Sequence, residues 1–228
     1  MSTTTADHGH GHGDRPYYLA HHFHDMEQQN SAVKFGMWLF LVQEILFFAG
    51  LFMAYIAMRY LYPETWLQAA EQLDKTMGGI NTVVLLTSSL TMALAVRCAQ
   101  VEDQKGLLRN LLLTLAGAFG FLIVKYIEYS HKLHAGLLPG KYFTATDLVG
   151  KAEPEHAPQL FFSVYFMMTG VHGLHVVIGI GVIFWIFLRA RRGDFNAENY
   201  SAVENVGLYW HLVDFIWIFL FPLLYLVR

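Results

Sequence analysis

The stretch "QEILFFAGLF", Gln43 to Phe52, places the carboxyl group of Glu44 inside a long run of aliphatic and aromatic residues. The run extends from Val33 to Leu61, which exceeds the roughly 20 mainly apolar residues that a helix needs to cross a bilayer. An ionisable side chain at such a depth is expensive, so it normally faces the protein interior and a partner. The segment therefore predicts a membrane-spanning helix whose acid is enclosed by other helices.

The composition of the whole chain indicates an integral membrane protein. Of its 228 residues 55% are hydrophobic and 14% are charged, whereas soluble domains carry about 25% charged residues. A net charge of −3 argues against nucleic acid as a partner. The single cysteine, Cys98, excludes an intrachain disulfide and a cysteine-based metal cage.

Five stretches are long and apolar enough to span a membrane: 33–61, 80–99, 107–129, 159–188 and 206–227. None alternates apolar and polar residues as barrel strands do. We predict an all-α fold, an integral membrane bundle of five transmembrane helices in a domain 33–228. The polar, His-rich tail 1–32 lacks the apolar segment of a secretory signal, and its histidines could bind zinc or copper only loosely.

An odd number of spans places the two ends of the chain on opposite faces of the membrane. Lysine and arginine are denser near the helix ends on the N-terminal side, at Lys34, Arg97, Lys105, Arg109, Arg189, Arg191 and Arg192. Because basic residues near helix ends favour the cytoplasm, this pattern predicts a cytoplasmic N-terminus and a C-terminus outside.

Three ionisable residues fall within the hydrocarbon depth of the predicted spans. At about 1.5 Å per residue from the inner end, Glu44 lies roughly 16 Å deep, His175 roughly 20 Å and Asp214 roughly 12 Å. No second acid lies at the depth of Glu44 on a neighbouring span. Glu44 is therefore either a neutral acid hydrogen-bonded within the bundle or a carboxylate that is linked to protons or lipid.

The motif "TGVHGLHVVIG" places His172 and His175 on one helical face, among glycines that let a neighbouring helix approach. Two imidazoles on one face could ligate a metal or haem. A matching histidine on another helix is missing, because His211 lies about 8 Å from the inner end, some 12 Å from the depth of His175. We therefore favour packing and interhelical hydrogen bonding for both.

Two further polar motifs lie in the third and fifth spans. In "YWHLVDFIW", His211 and Asp214 stand three residues apart, so they could neutralise each other or form a proton relay, and the first is favoured. In "KYIEYSHKLH", two turns near a helix end contain Lys125, Glu128, His131 and Lys132. Long lysine side chains can reach the interface, so an interfacial anchor is favoured over a functional charge cluster.

Taken in order, "QEILFFAGLF", "NTVVLLTSS", "TGVHGLHVVIG" and "LYWHLVDFIWIFLFPLLY" resemble the cytochrome c oxidase subunit 3 family, subunit III of the haem-copper oxygen reductases. The resemblance extends from Lys34 to Arg228 and fits the short, five-helix bacterial form. It implies a non-catalytic subunit that packs on subunit I, stabilises it, holds lipids and supports proton uptake. The reaction of the complex is oxygen reduction coupled to proton pumping.

The resemblance also implies cofactors, partners and site residues. Haem and copper would reside in partner subunits and not in this chain, which would hold phospholipid, contact subunits I and II in a bacterial cytoplasmic membrane and could join a larger respiratory supercomplex. Glu44 falls at the position of a membrane-buried carboxylate that reacts with carbodiimides in related subunits. Interhelical packing or polar contact is expected at His172, Gly173, His175, His211, Asp214 and Glu128.

One departure from the family separates this chain from its longer members. Seven-helix members carry two further helices before the first motif, and these form one wall of a lipid-holding cleft. Here a polar tail stands in their place. The lipid site implied by the resemblance therefore requires another subunit to supply that wall.

Other functions remain open from the sequence. A quinol oxidase subunit III and an accessory protein of nitric oxide reductase are similar five-helix proteins. From another class, a membrane b-type cytochrome could use His172 or His175 with another histidine. A proton-coupled transporter using Glu44 is the weakest alternative, because the chain shows neither a broken helix nor a paired half.

Overall fold

The structure is a computed structural model that describes residues 23–139, 143, 157–197 and 199–226. Within these ranges the chain forms α1 (Met26–Leu61), α2 (Pro63–Ala70), α3 (Lys75–Gln100), α4 (Gln104–His134), α5 (Ala157–Arg191) and α6 (Ser201–Phe221), followed by a π-helical turn, Pro222–Leu226. All except the short α2 belong to segments long and apolar enough to cross a membrane. The predicted all-α bundle of five transmembrane helices is confirmed.

The helices follow the predicted order and extend beyond the predicted spans. The first begins at Met26, where the Asp25 side chain accepts a hydrogen bond from the Gln28 N–H at 2.7 Å. The predicted boundary between tail and membrane domain, at residues 32 and 33, therefore lies inside α1. Most of the His-rich tail, residues 1–22, lies outside the described residues.

Helix α6 is the central helix of the bundle. In its most apolar stretch 56% of the residues are buried, against 17% for α1. Its indoles are enclosed by α3, where Trp210 donates to the Ser88 hydroxyl at 3.1 Å and Trp217 donates to the Thr82 hydroxyl at 3.0 Å. These bonds satisfy both indole N–H groups without water, which a helix inside a bilayer requires.

Small residues allow α3 and α4 to pack as a close antiparallel hairpin. A Cβ atom added to Gly117 of α4 would lie 2.8 Å from Cβ of Ser88, so only glycine permits this approach. Between the same helices the hydroxyl groups of Thr91 and Thr114 are 2.8 Å apart. Close packing and interhelical hydrogen bonds of this kind hold membrane helices together.

Helix α1 lies at the periphery and contacts the bundle through a narrow stripe. Its buried residues are Leu41, Phe48 and Tyr55. The Tyr55 hydroxyl donates to the backbone carbonyl of Leu223 at 2.6 Å, in the π-helical turn. At the opposite end, which we call the N face because α1 begins there, Lys34 pairs with Glu204 at 3.6 Å.

Candidate functional site

Most of the ionisable groups discussed above lie in three separate centres. The first joins α1 to α5, where Glu44 Oε2 lies 3.0 Å from His175 Nε2. The Glu44 and His175 side chains are 12% and 14% exposed, and the Phe48 and His175 rings pack in a T-shaped arrangement with their centroids 5.2 Å apart. Glu44 thus has a partner on another helix, as an acid in a bilayer requires.

The hydrogen bonds of His175 determine the net charge of this pair. Its Nδ1 is 2.8 Å from the backbone carbonyl of Val171, and a carbonyl oxygen only accepts, so Nδ1 carries a proton. Nε2 then either accepts a hydrogen bond from the O–H group of a neutral Glu44 or carries a proton and donates a hydrogen bond to the Glu44 carboxylate. Both arrangements share one proton between the two groups and leave the pair without net charge, which explains how the acid is accommodated.

His172 faces a different neighbourhood from His175. It is fully buried, with its ring centroid 5.3 Å from that of Trp217 and 5.5 Å from that of Phe121. Neither of its ring nitrogens has a hydrogen-bond partner among the described residues. His172 therefore faces α4 and α6 while His175 faces α1, and the two imidazoles do not converge on one site.

The glycines of the same motif differ in their surroundings. A Cβ atom on Gly179 would lie 2.8 Å from the Trp210 ring, so this glycine permits close approach of α6. Around Gly170 and Gly173 no atom of the described chain lies within 4 Å of such a Cβ atom. Gly179 therefore packs against another helix of the chain, whereas packing at Gly173 stays a prediction, because no other described helix approaches it.

The second centre lies between α3 and α6 and corrects the predicted pairing of His211 with Asp214. His211 Nδ1 is 2.7 Å from the Ser89 hydroxyl instead. The Asp214 side chain is buried, and neither carboxyl oxygen has a hydrogen-bond partner in the described part of the chain, although Ser89 also lies near it. Ser89 of α3 therefore replaces Asp214 as the partner of His211, because side chains three residues apart on one helix need not point at each other.

The third centre is a buried cluster around Glu128 near the end of α4. Glu128 Oε2 accepts from Lys125 at 2.9 Å, and Oε1 accepts from Lys132 at 2.7 Å. The hydroxyl groups of Tyr165 and Tyr225 also donate to Oε1, at 2.8 and 2.6 Å. One carboxylate thus binds two ammonium groups, and two tyrosines from α5 and the π-helical turn complete its surroundings.

This cluster shows that the predicted interfacial anchor is wrong. The Lys125 and Lys132 side chains are only 9% and 5% exposed, and Lys125 Nζ lies 4.7 Å from the Trp217 ring centroid. Lys125 and Lys132 lie three and four residues from Glu128, so both ammonium groups reach its carboxylate. Charge-assisted hydrogen bonds inside the bundle bind these groups more strongly than the membrane interface does. The spacing of the lysines and Glu128 is visible in the sequence, whereas no local pattern indicates that Tyr165 and Tyr225 contact this cluster.

Metal-ligating side chains do not cluster in the described part of the chain. Among the described residues there is no group of three or more His, Cys, Asp or Glu side chains placed to hold a metal ion. His175 has both ring nitrogens engaged by Val171 and Glu44, and His211 has one engaged by Ser89.

Comparison with known proteins identifies the family. The family described as Cytochrome c oxidase subunit III matches residues 17–227. The chain belongs to this family. The predicted resemblance is therefore confirmed, and the protein is a multi-pass membrane protein of the haem-copper oxidase subunit III type.

Individual relatives extend over nearly the whole chain. Cytochrome c oxidase subunit 3 of Synechocystis sp. is 32% identical over 227 residues, which cover 99% of this chain and 83% of the relative. The subunit 3 of Thermostichus vulcanus is 33% identical and covers 84% of this chain and 86% of its own length. A protein of Aeropyrum pernix named heme-copper oxidase subunit I+III is 30% identical over 86% of this chain and 23% of its own.

Proposed function

We propose that this subunit III chain is a non-catalytic part of a respiratory haem-copper oxidase and stabilises subunit I by packing against it. The observation that carries the proposal is the family match over residues 17–227. The Aeropyrum relative, whose name joins subunits I and III, supports direct association of these two units. The reaction of the complex would be oxygen reduction coupled to proton pumping.

In this proposal the haem and copper centres belong to partner subunits, with subunit II beside subunit I. The internal polar groups of this chain would then hold the helices in register. Support comes from their contacts, because Glu44 joins α1 to α5 and Glu128 joins α4 to α5 and the π-helical turn. Each contact links segments distant in sequence, which is the role expected of polar groups between membrane helices.

Phospholipid binding is proposed for an apolar groove between α1 and α6. The groove is lined by Ile45, Phe48, Ala49, Phe52, Ile56, Leu212, Phe215, Ile216, Phe219 and Leu223. All of its lining side chains are apolar, which suits an acyl chain. Ile45 follows Glu44 directly, so a lipid in this groove would lie beside the pair that shares a proton. We assign support of proton uptake to that pair.

The membrane and the orientation complete the proposal. We assign the chain to the bacterial cytoplasmic membrane with its N face in the cytoplasm, because basic residues are denser near the helix ends on that side. A cysteine-reactive probe that does not cross membranes tests this orientation. In a Cys98→Ser background, Lys105→Cys at the N face should react only after the cytoplasmic side is opened, and reaction in intact cells would reverse the orientation.

The function is tested by purification of the tagged chain in mild detergent. We expect subunits I and II to copurify, together with haem absorption and copper. A partner with a CuA centre would establish cytochrome c as the donor, and a subunit II without CuA would indicate a quinol oxidase. If the chain separated from its partners retained stoichiometric haem or copper, the non-catalytic role would be refuted.

A further inference from the structure

Asp214 is a buried acid without a hydrogen-bond partner in the described part of the chain. It is 3% exposed, and both of its carboxyl oxygens lack a partner. The other two acids discussed above differ from it, because Glu44 contacts His175 and Glu128 accepts four hydrogen bonds. An unpaired carboxylate in hydrocarbon is costly, so the carboxyl group of Asp214 binds a proton.

A hydroxyl group and an imidazole lie between this carboxyl group and a pocket. Ser89 of α3 lies beside Asp214, and its hydroxyl oxygen is 2.7 Å from His211 Nδ1. His211 also lines a pocket of about 310 Å³ between α3 and α6. A hydroxyl group both donates and accepts hydrogen bonds, and an imidazole can take up a proton at one nitrogen and release one from the other. The two side chains therefore have the chemistry needed to carry a proton between Asp214 and the pocket.

The pocket reaches the N face. Its walls include Arg97 in the last turn of α3 and Glu204 in the first turn of α6, and both of these turns lie at that face. His211 is seven residues further along α6 than Glu204, hence about 10 Å deeper. A water molecule occupies about 30 Å³ in the liquid, so the pocket has room for several, and its polar side chains supply hydrogen-bond partners. Water can thus reach His211 from the N face.

We propose that Asp214 is a proton-binding site that exchanges protons with water at the N face through Ser89 and His211. Rotation of the Ser89 side chain between rotamers directs its hydroxyl group to either neighbour. The Asp214 proton moves to the Ser89 oxygen while Ser89 gives its own hydrogen to His211 Nδ1, and His211 releases its Nε2 proton to water in the pocket. Asp214 becomes a carboxylate and the water becomes hydronium, so charge is conserved. Uptake reverses these steps, and the costly carboxylate persists only until a proton returns.

The route ends at Asp214 within the described chain. About one turn deeper in α6, the Trp217 indole donates to the Thr82 hydroxyl at 3.0 Å, and that hydroxyl donates to the Gly78 carbonyl at 2.9 Å. An indole N–H only donates, so it cannot accept the proton. Asp214 therefore stores a proton and does not conduct it across the membrane. Because this site lies between α3 and α6, away from the pair of α1 and α5, it does not depend on the proposed function.

Infrared spectroscopy of the full chain in lipid vesicles tests the exchange. The carbonyl stretching band of a protonated carboxyl group moves to lower frequency when deuterium replaces the proton, and comparison with Asp214→Asn isolates the Asp214 band. In deuterated water, Ser89→Ala and His211→Phe should slow the shift of this band by roughly tenfold or more, because each removes a proton carrier. Ser89→Thr keeps a hydroxyl group and should retain the parent rate. Thr87→Val, which removes an exposed hydroxyl from the same helix, is the control and should not change the rate.

A substitution at the surface tests the pocket without changing buried packing. Ala93 is exposed and lines the pocket, so Ala93→Phe should fill it and slow the exchange, whereas Ala57→Phe, at an exposed alanine of α1, should not. Circular dichroism shows which variants are folded. The proposal is overturned if the parent has no protonated carboxyl band that Asp214→Asn removes, or if that band never shifts in deuterated water. Equal rates in the parent, Ser89→Ala, His211→Phe and Ala93→Phe would also overturn it.

Discussion

Replacement of Glu128 by glutamine tests the energetic role of the buried cluster. The carboxylate accepts hydrogen bonds from Lys125, Lys132, Tyr165 and Tyr225 at 2.6–2.9 Å. Glutamine has nearly the same shape but no charge, and its amide N–H group would face an ammonium group. Two buried ammonium groups would then share no countercharge, whereas Lys132→Met would leave the Lys125–Glu128 pair intact.

The two substitutions should therefore differ in magnitude. Removal of one partner from a buried ion pair costs about 3–5 kcal/mol, so Glu128→Gln should lower the free energy of unfolding by that amount. Lys132→Met removes one hydrogen bond, at 2.7 Å, and also removes a buried charge in excess of its countercharge. Because those contributions oppose each other, we expect Lys132→Met to change the free energy of unfolding by no more than about 1.5 kcal/mol. Glu128→Gln should therefore destabilise the chain more than Lys132→Met does.

The assay is reversible unfolding of the purified chain by titration with sodium dodecyl sulfate from mild detergent, followed by circular dichroism. Lys105→Met, at an exposed lysine, is the control for loss of one positive charge. The reasoning is refuted if Lys132→Met destabilises the chain as much as Glu128→Gln does. A free energy of unfolding for Glu128→Gln within about 1 kcal/mol of the parent value would also contradict the prediction, since an uncompensated buried charge should cost more.

Two further substitutions test the first centre and the packing of α6. Glu44→Gln should leave partner copurification and haem content unchanged, because an amide still bonds to His175 and the pair stays neutral; loss of the complex from the membrane would contradict this. Gly179→Ala should lower the free energy of unfolding by about 1–3 kcal/mol, because its Cβ atom meets Trp210 at 2.8 Å. Gly181→Ala, where the space is open, should be neutral or slightly stabilising, and equal loss at both glycines would exclude overpacking as the cause.

The transmembrane architecture was predictable because hydropathy and length are local properties of a sequence. The five spans appear in the predicted order, and only their ends differ, since a helix continues into the interface as long as its hydrogen bonds and caps allow. The need of Glu44 for a neighbour was equally predictable. The identity of that neighbour was not, because similar depths for Glu44 and His175 do not reveal that α1 and α5 adjoin.

The two wrong expectations in the candidate site have different physical causes. Sequence spacing shows which groups on one helix can meet, and it leaves out competing groups from other helices. The expected pair of His211 and Asp214 does not form because His211 contacts Ser89 of α3 instead. The interfacial anchor expected at Lys132 is wrong because a local partner, Glu128, lies four residues away on the same helix.

The position of Tyr225 affects how the protein is made. Tyr225 accepts a hydrogen bond from Lys125, 100 residues earlier in the chain, and the backbone carbonyl of Leu223, in the same turn, accepts one from Tyr55 of α1. The ribosome delivers α1, α4 and α5 well before this turn, so neither hydrogen bond can form until the end of the chain has been made. Arrival of residues 222–226 completes both at once and ties the first and fourth helices to the last turn.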